Sequence, residues 1–266
     1  MKYKDIETLK QKIKAGKPVI GTFNTLNSCS VTEILSFSDL DFQILDLEHG
    51  SFDLVNISNH ISASRSNSCY KISEVLIRNP SFDRWSILQC LDQGANGLVF
   101  PHIENSTDLS VILDCISYPP VGKRSFSPFT KAGMYGSINY CEYAINSNSS
   151  QVLVIIIESS IALANLQNIL ELFSDRIDVV YFGSYDLSAD LGYLGNPWHP
   201  NVTAAIQEGI ELCGRYSIST GAYVPNSLNQ VSELLQMGHK FITFQVDADL
   251  LRSSYASIAH GFQELI

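Results

Sequence analysis

The feature that most constrains the fold of this chain is a series of eight short apolar runs spread along its length. Several runs are apolar at every position, as expected of parallel strands whose two faces are both covered by other elements. The strands predicted from these runs are residues 19–25, 42–47, 74–78, 97–100, 152–157, 179–182, 221–224 and 241–246.

Stretches in which apolar residues recur at helical spacing separate these runs. They predict helices at residues 6–15, 82–91, 106–116, 161–173, 202–213, 228–237 and 250–262, and Ser81 is the predicted N-cap of the second. Eight strands alternating with helices predict the α/β class and a closed (β/α)8 TIM barrel, as a single domain over residues 1–266. An open doubly wound sheet is the alternative, but Gly21-Thr22-Phe23-Asn24 is not the Gly-rich turn that would favour it.

One segment, residues 117–150, interrupts the alternation. It is rich in Gly, Pro, Ser, Tyr and Asn and shows no clear strand. We predict a long loop here, and loops of this length in barrels are more often functional or interfacial than idle.

Charge and cysteine content narrow the possible partners and the compartment. The net charge is −10 and no run of Lys or Arg occurs, which argues against nucleic acid and anionic lipid as partners. The first five residues are not followed by the apolar segment of a signal peptide, and the aliphatic run at 152–157 is too short to span a membrane. Six cysteines without a Cys-x-x-Cys pair indicate reduced thiols, so a cytoplasmic location is expected.

Polar residues follow several predicted strands at the point where each strand ends. The second strand leads into Asp46-Leu47-Glu48-His49-Gly50 and the third into Arg78-Asn79-Pro80, while Glu158 follows the fifth and Asp186 the sixth. Active sites of parallel barrels lie at the carboxyl ends of the strands. These side chains are therefore the candidate site.

Glu158 and Asp186 are candidate metal ligands. A carboxylate directly after six aliphatic residues, as at Glu158, is costly unless it is paired or bound to a metal. Neighbouring strands lie about 4.8 Å apart, so both carboxylates can reach one ion, and oxygen ligands suit Mg²⁺ or Mn²⁺. The alternative is that each carboxylate caps the helix that follows it.

His49 and Arg78 are the candidate catalytic side chains. A histidine beside carboxylates can act as a base near neutral pH, and the other five histidines, His102 among them, have no comparable acidic neighbours in the sequence. Arg78 could bind a carboxylate or stabilise an enolate, although a salt bridge at the barrel rim is an equal alternative.

Short motifs in a fixed order extend over nearly the whole chain. They are Gly21, Asp46-Leu47-Glu48-His49-Gly50, Arg78-Asn79-Pro80, Gly94-Ala95-Asn96-Gly97, Phe100-Pro101-His102-Ile103-Glu104-Asn105, Tyr118-Pro119-Pro120 with Gly122 and Arg124, Glu158-Ser159, Gly183 with Asp186-Leu187-Ser188, Gly192-Tyr193, Gly195-Asn196-Pro197 and His199-Pro200. In this order and spacing the chain resembles the HpcH/HpaI family of class II pyruvate aldolases, which includes 4-hydroxy-2-oxoheptanedioate aldolase and 2-keto-3-deoxy sugar-acid aldolases.

The resemblance implies a barrel of the phosphoenolpyruvate/pyruvate type and a metal-dependent aldolase. Such an enzyme cleaves or forms a 4-hydroxy-2-oxo acid, with pyruvate enolate as intermediate and an aldehyde as second product. Glu158 and Asp186 would hold Mg²⁺, Mn²⁺ or Co²⁺. The resemblance also implies a homo-oligomer, either a hexamer or a trimer of dimers, with exchanged C-terminal helices.

The resemblance assigns roles to the remaining candidates. Arg78 would lie near the keto oxygen of the substrate and stabilise the enolate. His49 would act with a water in proton transfer, and Asp46 and Asp92 would hold its orientation.

Three positions depart from the family pattern. Ile156 replaces a glutamine that helps to hold the substrate, Ser184-Tyr185 replaces a Pro-Ala pair, and Ser125 replaces a glycine. Ser184 and Tyr185 therefore stand as substrate-contacting residues of an altered pocket. An altered specificity is the functional interpretation, and drift among remote relatives is the alternative.

Two further functions compete with a metal-dependent aldolase. A CoA-ester lyase of the citrate or malyl-CoA type is related in chemistry, but the sequence shows no feature for recognising coenzyme A. A barrel that binds a metabolite without turnover is favoured only by Ile156 and Tyr185. The identity of the aldehyde does not follow from the sequence.

Overall fold

The computed structural model describes residues 7–65 and 73–266, which form a closed barrel of eight parallel strands. The strands are β1 (Val19–Asn24), β2 (Phe42–Asp46), β3 (Glu74–Arg78), β4 (Gly97–Phe100), β5 (Val152–Ile157), β6 (Val179–Phe182), β7 (Ser219–Val224) and β8 (Phe241–Val246). Each strand pairs with the next, and β8 pairs with β1, where Val19 lies opposite Phe241. The predicted α/β barrel is confirmed, and all eight predicted strands are present.

The helices lie between these strands. They are α1 (Leu9–Lys14), α2 (Cys29–Ser36), α3 (Ile57–Ser64), α4 (Arg84–Asp92), α5 (Ser106–Ile116), α6 (Tyr140–Ser150), α7 (Ser160–Phe173), α8 (Ser184–Asp190), α9 (Pro200–Arg215), α10 (Leu228–Met237) and α11 (Asp247–Gln263). The sequence prediction missed α2, α3, α6 and α8. Within the described residues, no helix has the length and apolar character needed to cross a membrane. Residues 1–6, where the predicted first helix begins, lie outside the described part.

The predicted N-cap of α4 is wrong by two residues. Asp83 caps this helix, because its carboxylate accepts hydrogen bonds from the backbone N–H groups of Trp85 (2.9 Å) and Ser86 (3.0 Å). Ser81 instead donates its hydroxyl to Asp83 at 2.6 Å and so supports the cap from outside the helix.

The inside of the barrel is filled by one apolar cluster that includes Ile44, Leu76 and Ile156. Side chains alternate along a strand, so the residue two positions further on points to the same side. Those next inward positions hold Asp46, Arg78 and Glu158. These three polar residues of the candidate site thus continue the inward rows of apolar strands. On the outside of the barrel, a second and larger apolar cluster packs the outward side chains of the strands against the helices.

Residues 117–150 are more ordered than the predicted loop. They contain a short 3-10 helix (Met134–Gly136) and α6. Arg124 fixes the segment to the barrel: its buried side chain donates to Asp92 at 2.7 Å and its Cζ lies 4.4 Å from the ring centroid of Tyr118. The prediction of a loop without regular structure is therefore wrong for the second half of this segment.

Candidate active site at the carboxyl ends of the strands

Seven of the eight predicted site residues, all except Asp92, line one cavity at the carboxyl ends of the strands. Asp46 and Arg78 are the last residues of β2 and β3, Glu158 follows β5, and Asp186 lies in the first turn of α8, just after β6. The cavity has a volume of about 390 Å³. Its wall is formed by Phe23, Thr25, Asp46, His49, Arg78, Ile156, Glu158, Tyr181, Phe182, Gly183, Ser184, Tyr185, Asp186, Tyr223 and Val246.

Arg78 is held in one position by acidic and aromatic neighbours. Its Nε and Nη2 donate to the two oxygens of Asp46 at 2.8 and 2.5 Å, and its Nη1 lies 3.1 Å from Glu48 Oε2. The guanidinium also lies over the ring of Phe23, 4.7 Å from the centroid. Burial alone would lower the pKa of Arg78, but the hydrogen bond and charge of Asp46 and the charge of Glu48 raise it above its ordinary value. Arg78 is therefore a fixed positive charge in the cavity wall.

His49 lies at the mouth of the cavity, but the structure does not show the predicted contacts that orient it. Its side chain is 69% exposed, and its Nε2 is 3.9 Å from Glu48 Oε2. Asp46 accepts from the backbone N–H groups of Glu48 and His49 and binds Arg78, so it orients the loop and the arginine rather than the imidazole.

Asp92 does not reach this site within one chain. It is the last residue of α4, just before β4 begins, and thus lies toward the amino ends of the strands. Its carboxylate binds Arg124, as described above. The predicted role of Asp92 in orienting His49 is not met in this chain, because the residue is tied to the 117–150 segment at the opposite end of the barrel.

Glu158 and Asp186 form the part of the site that fits a divalent cation. Desolvation raises the pKa of Glu158, and the negative charges of Asp186 and Glu48 add to this effect. Asp186 is not the N-cap of α8, since that position is Gly183, so helix capping does not explain the aspartate. Two carboxylates in one cavity wall are suited to share a hard cation such as Mg²⁺, Mn²⁺ or Co²⁺.

Gly183 provides the space that Glu158 occupies. A Cβ atom at position 183 would lie 2.8 Å from Glu158 Cβ, closer than such contacts occur, and 3.0 Å from its Oε2, which is tighter than most. Among residues 7–65 and 73–266, no group of three or more His, Cys, Asp or Glu side chains could hold a metal. A cation here would therefore have two protein carboxylates and open positions for water and substrate.

His102 and Glu48 were missed as members of the site. His102 follows β4, and its Nδ1 lies 2.8 Å from Glu158 Oε1 while its Nε2 lies 2.7 Å from Glu48 Oε1. Its backbone N–H also donates to Glu158 Oε1 at 2.7 Å. His102 has no comparable acidic neighbours in the sequence, but the fold brings it to two acidic partners, which follow β2 and β5 and lie far from it along the chain.

Aromatic side chains also line the cavity wall. The rings of Tyr185 and Tyr223 meet edge to face with centroids 6.0 Å apart, and Tyr181 donates or accepts a 2.6 Å hydrogen bond with Thr243 below them. Ile156 lies in the same wall. Ile156, Ser184 and Tyr185, at which the sequence departs from the family pattern, thus face the cavity, whereas Ser125 does not line it.

Fold and site together define the class: a (β/α)8 barrel with a carboxylate pair and a fixed arginine at the carboxyl ends of its strands. Residues 19–254 match the model of the HpcH/HpaI aldolase/citrate lyase family. The chain belongs to this family, as the sequence motifs predicted, and is a lyase of the same kind.

Individual relatives agree with this assignment. The chain is 30% identical to a 4-hydroxy-2-oxo-heptane-1,7-dioate aldolase of Klebsiella pneumoniae over 95% of this chain and 92% of the relative. It is 29% identical to a hydroxypyruvate/pyruvate aldolase of Sagittula stellata over 92% and 93% of the two chains. The crystal structure of an HpcH/HpaI aldolase from Desulfitobacterium hafniense superimposes with a TM-score of 0.89 at 25% identity, covering 98% of each chain.

Proposed function

We propose that this chain, as a single barrel domain, is a divalent-metal-dependent aldolase. It would cleave or form a 4-hydroxy-2-oxo acid, with pyruvate as one product and an aldehyde as the other. The observation that carries the proposal is the placement of Glu158 and Asp186 in one cavity with Arg78. The aldolase names of the relatives support it.

Each group would contribute a separate effect. Glu158 and Asp186 would hold Mg²⁺, Mn²⁺ or Co²⁺, and such an ion supplies a Lewis acid for the 2-oxo group of the substrate. Arg78 would place positive charge where the enolate oxygen develops, and Asp46 keeps the guanidinium in that position. His49, exposed at the mouth, would exchange a proton with the 4-hydroxyl through water. Ser184 and Tyr185 would contact the substrate.

The same proposal includes self-assembly in the cytoplasm. Only Asp247 of α11 is buried, whereas five large apolar side chains of this helix are exposed. These side chains are Leu250, Leu251, Tyr255, Ile258 and Phe262. An uncovered apolar face on the last helix fits a homo-oligomer, a hexamer or trimer of dimers, in which a second copy covers it.

A CoA-ester lyase is the second candidate, because the matching family model also describes citrate lyase. The two reactions differ in their substrates, since only the second requires a thioester. Addition of a CoA thioester in the assay below separates them.

The test is pyruvate release from a panel of 4-hydroxy-2-oxo acids, measured with lactate dehydrogenase and NADH. We expect release with Mn²⁺ or Mg²⁺ and none after chelation. Glu158→Gln, which keeps the shape of the side chain but removes its charge, should lose both metal binding and release. Glu171→Gln, on the exposed side of α7, is the matched control and should remain active. Metal-independent release, or release that survives Glu158→Gln, would contradict the proposal.

A further inference from the structure

The cavity combines carboxylates with aromatic and aliphatic side chains. Asp46, Glu158 and Asp186 supply the carboxylates, and the 2-oxo acid would bind beside Glu158 and Asp186. Phe23, Ile156, Tyr181, Tyr185, Tyr223 and Val246 supply the aromatic and aliphatic surface. The second substrate must approach the reacting carbon from the space that the first leaves open, so the aromatic surface of Tyr185 and Tyr223 would decide which aldehyde fits.

Charge in the cavity disfavours an acidic aldehyde. Among the described residues that line it, only Arg78 and His49 can carry positive charge. Arg78 already faces Asp46 and Glu48 with three of its nitrogens. A carboxylate on the aldehyde would therefore find only the exposed His49 as a possible cation and would lie near the carboxylates of the wall, at a cost in free energy.

Two tyrosines at the mouth form a corner suited to a flat group. The interplanar angle between the rings of Tyr185 and Tyr223 is 68°. A planar ring that stacks on one of them would present its edge to the other, and both arrangements are favourable for aromatic pairs. Burial raises the pKa of Tyr223 to about 12, so its hydroxyl stays neutral at physiological pH.

We propose, on the basis of the aldolase function above, that the second substrate is an uncharged aldehyde carrying an aromatic or other flat conjugated group. Tyr185 and Tyr223 are the residues that select it. In the direction of synthesis the methyl carbon of pyruvate loses a proton, and the resulting electron pair forms the bond to the aldehyde carbon. The aldehyde oxygen takes up a proton, so the step needs no further reactant.

The test compares three aldehydes with pyruvate and Mn²⁺. Benzaldehyde is flat and neutral, cyclohexanecarbaldehyde has the same number of carbons without a flat ring, and 4-oxobutanoate carries a carboxylate. We expect the highest kcat/KM for benzaldehyde, with a preference over cyclohexanecarbaldehyde of about threefold to tenfold, the range of an aromatic contact. Tyr185→Ala should remove this preference, and Tyr185→Phe should keep it.

The matched control is Tyr135→Ala, since this tyrosine is 72% exposed and lies outside the cavity wall. It should leave all three rates unchanged. The highest kcat/KM for 4-oxobutanoate, or an equal loss for benzaldehyde and cyclohexanecarbaldehyde in Tyr185→Ala, would overturn the inference.

Exchange of the pyruvate methyl protons for deuterium can be followed by NMR in the absence of an aldehyde. It measures the removal of a proton from pyruvate separately from the formation of the carbon–carbon bond. Metal-dependent exchange without the expected preference would contradict only the choice of aldehyde. No exchange in the unchanged protein would contradict the aldolase function and this inference together.

Discussion

His102 follows β4 and contacts both Glu48 and Glu158 at the rim of the barrel. It lies in the left-handed region of the backbone with φ of 59°, an uncommon conformation for a residue other than glycine. This conformation lets both the backbone N–H and the imidazole of His102 reach Glu158. His102 is thus a positioning residue for the carboxylate that would bind the cation.

We therefore expect His102→Ala to weaken metal binding without abolishing it. Residues that orient a metal ligand typically contribute about tenfold to a hundredfold in affinity, and the backbone contact from position 102 would remain. The dissociation constant for Mn²⁺, measured by the EPR signal of the free ion in the absence of substrate, should rise by about tenfold.

The matched control for this measurement is His260→Ala, on the exposed face of α11. An unchanged Mn²⁺ affinity in His102→Ala would mean that the imidazole does not position Glu158. The titration also distinguishes a role in metal binding from a role in substrate binding. A folded His102→Ala variant with normal metal affinity and lower activity would mean that His102 acts on the substrate.

The residues of the site could be predicted where their signal is local. Asp46, Arg78 and Glu158 each end an inward row of an apolar strand, and this pattern is visible in the sequence. The pairing of Arg78 with Asp46 and the contacts of His102 depend on which strands are neighbours and on a positive φ angle. Neither follows from residue types alone.

At the scale of elements, apolar patterning determined the success of the prediction. All eight strands are rich in aliphatic or β-branched residues and were identified from that property. Among the helices that were missed, α3 and α6 are rich in Ser and Asn, which have weak helical preference. Capping by Asn139 and hydrogen bonds between the Asn148 side chain and the backbone of Tyr118 hold α6 in place, and the second of these contacts joins residues 30 positions apart.

The segment at residues 117–150 is expected to depend on Arg124. Arg124→Met would leave Asp92 without its partner, and breaking a buried ion pair from one side is strongly destabilising. The free energy of unfolding, measured with urea, should fall by about 3 kcal/mol. The neighbouring exposed pair provides the control: Lys123→Met removes only a surface contact with Asp114 and should change stability by less than about 1 kcal/mol.

Asp92 can be tested in the same experiment. If it acts with Arg124, Asp92→Asn combined with Arg124→Met should cost less than the sum of the single changes. Additive effects on stability would contradict the pairing. A loss of kcat in Asp92→Asn with unchanged stability would instead restore the catalytic role suggested by the family pattern.

At the scale of the whole molecule, α11 determines how copies of the chain would associate. Asp247, at its start, accepts from the backbone N–H groups of Thr25 (2.8 Å) and Leu26 (3.1 Å), which fixes the direction in which the helix leaves the barrel. Beyond this point its apolar side chains are exposed. The barrel therefore carries its site and its proposed assembly surface on different elements.

We expect Ile258→Glu to dissociate the oligomer, because this side chain is 67% exposed on the apolar face and a charge there would have to be desolvated in an interface. Light scattering coupled to size exclusion should show several copies for the unchanged protein and a lower mass for the variant. Leu194→Glu, at a loop position that is still more exposed, should leave the mass unchanged. A monomeric unchanged protein would contradict the proposed assembly.

The closure of the barrel between β8 and β1 also bears on how this chain behaves at high concentration. Every strand of the described residues has a partner on both sides, so none offers a free row of backbone N–H and C=O groups. Open sheet edges are the usual starting points for fibrous aggregation. None of these described strands can therefore extend its sheet into a second copy, and crowding should favour discrete particles over amyloid.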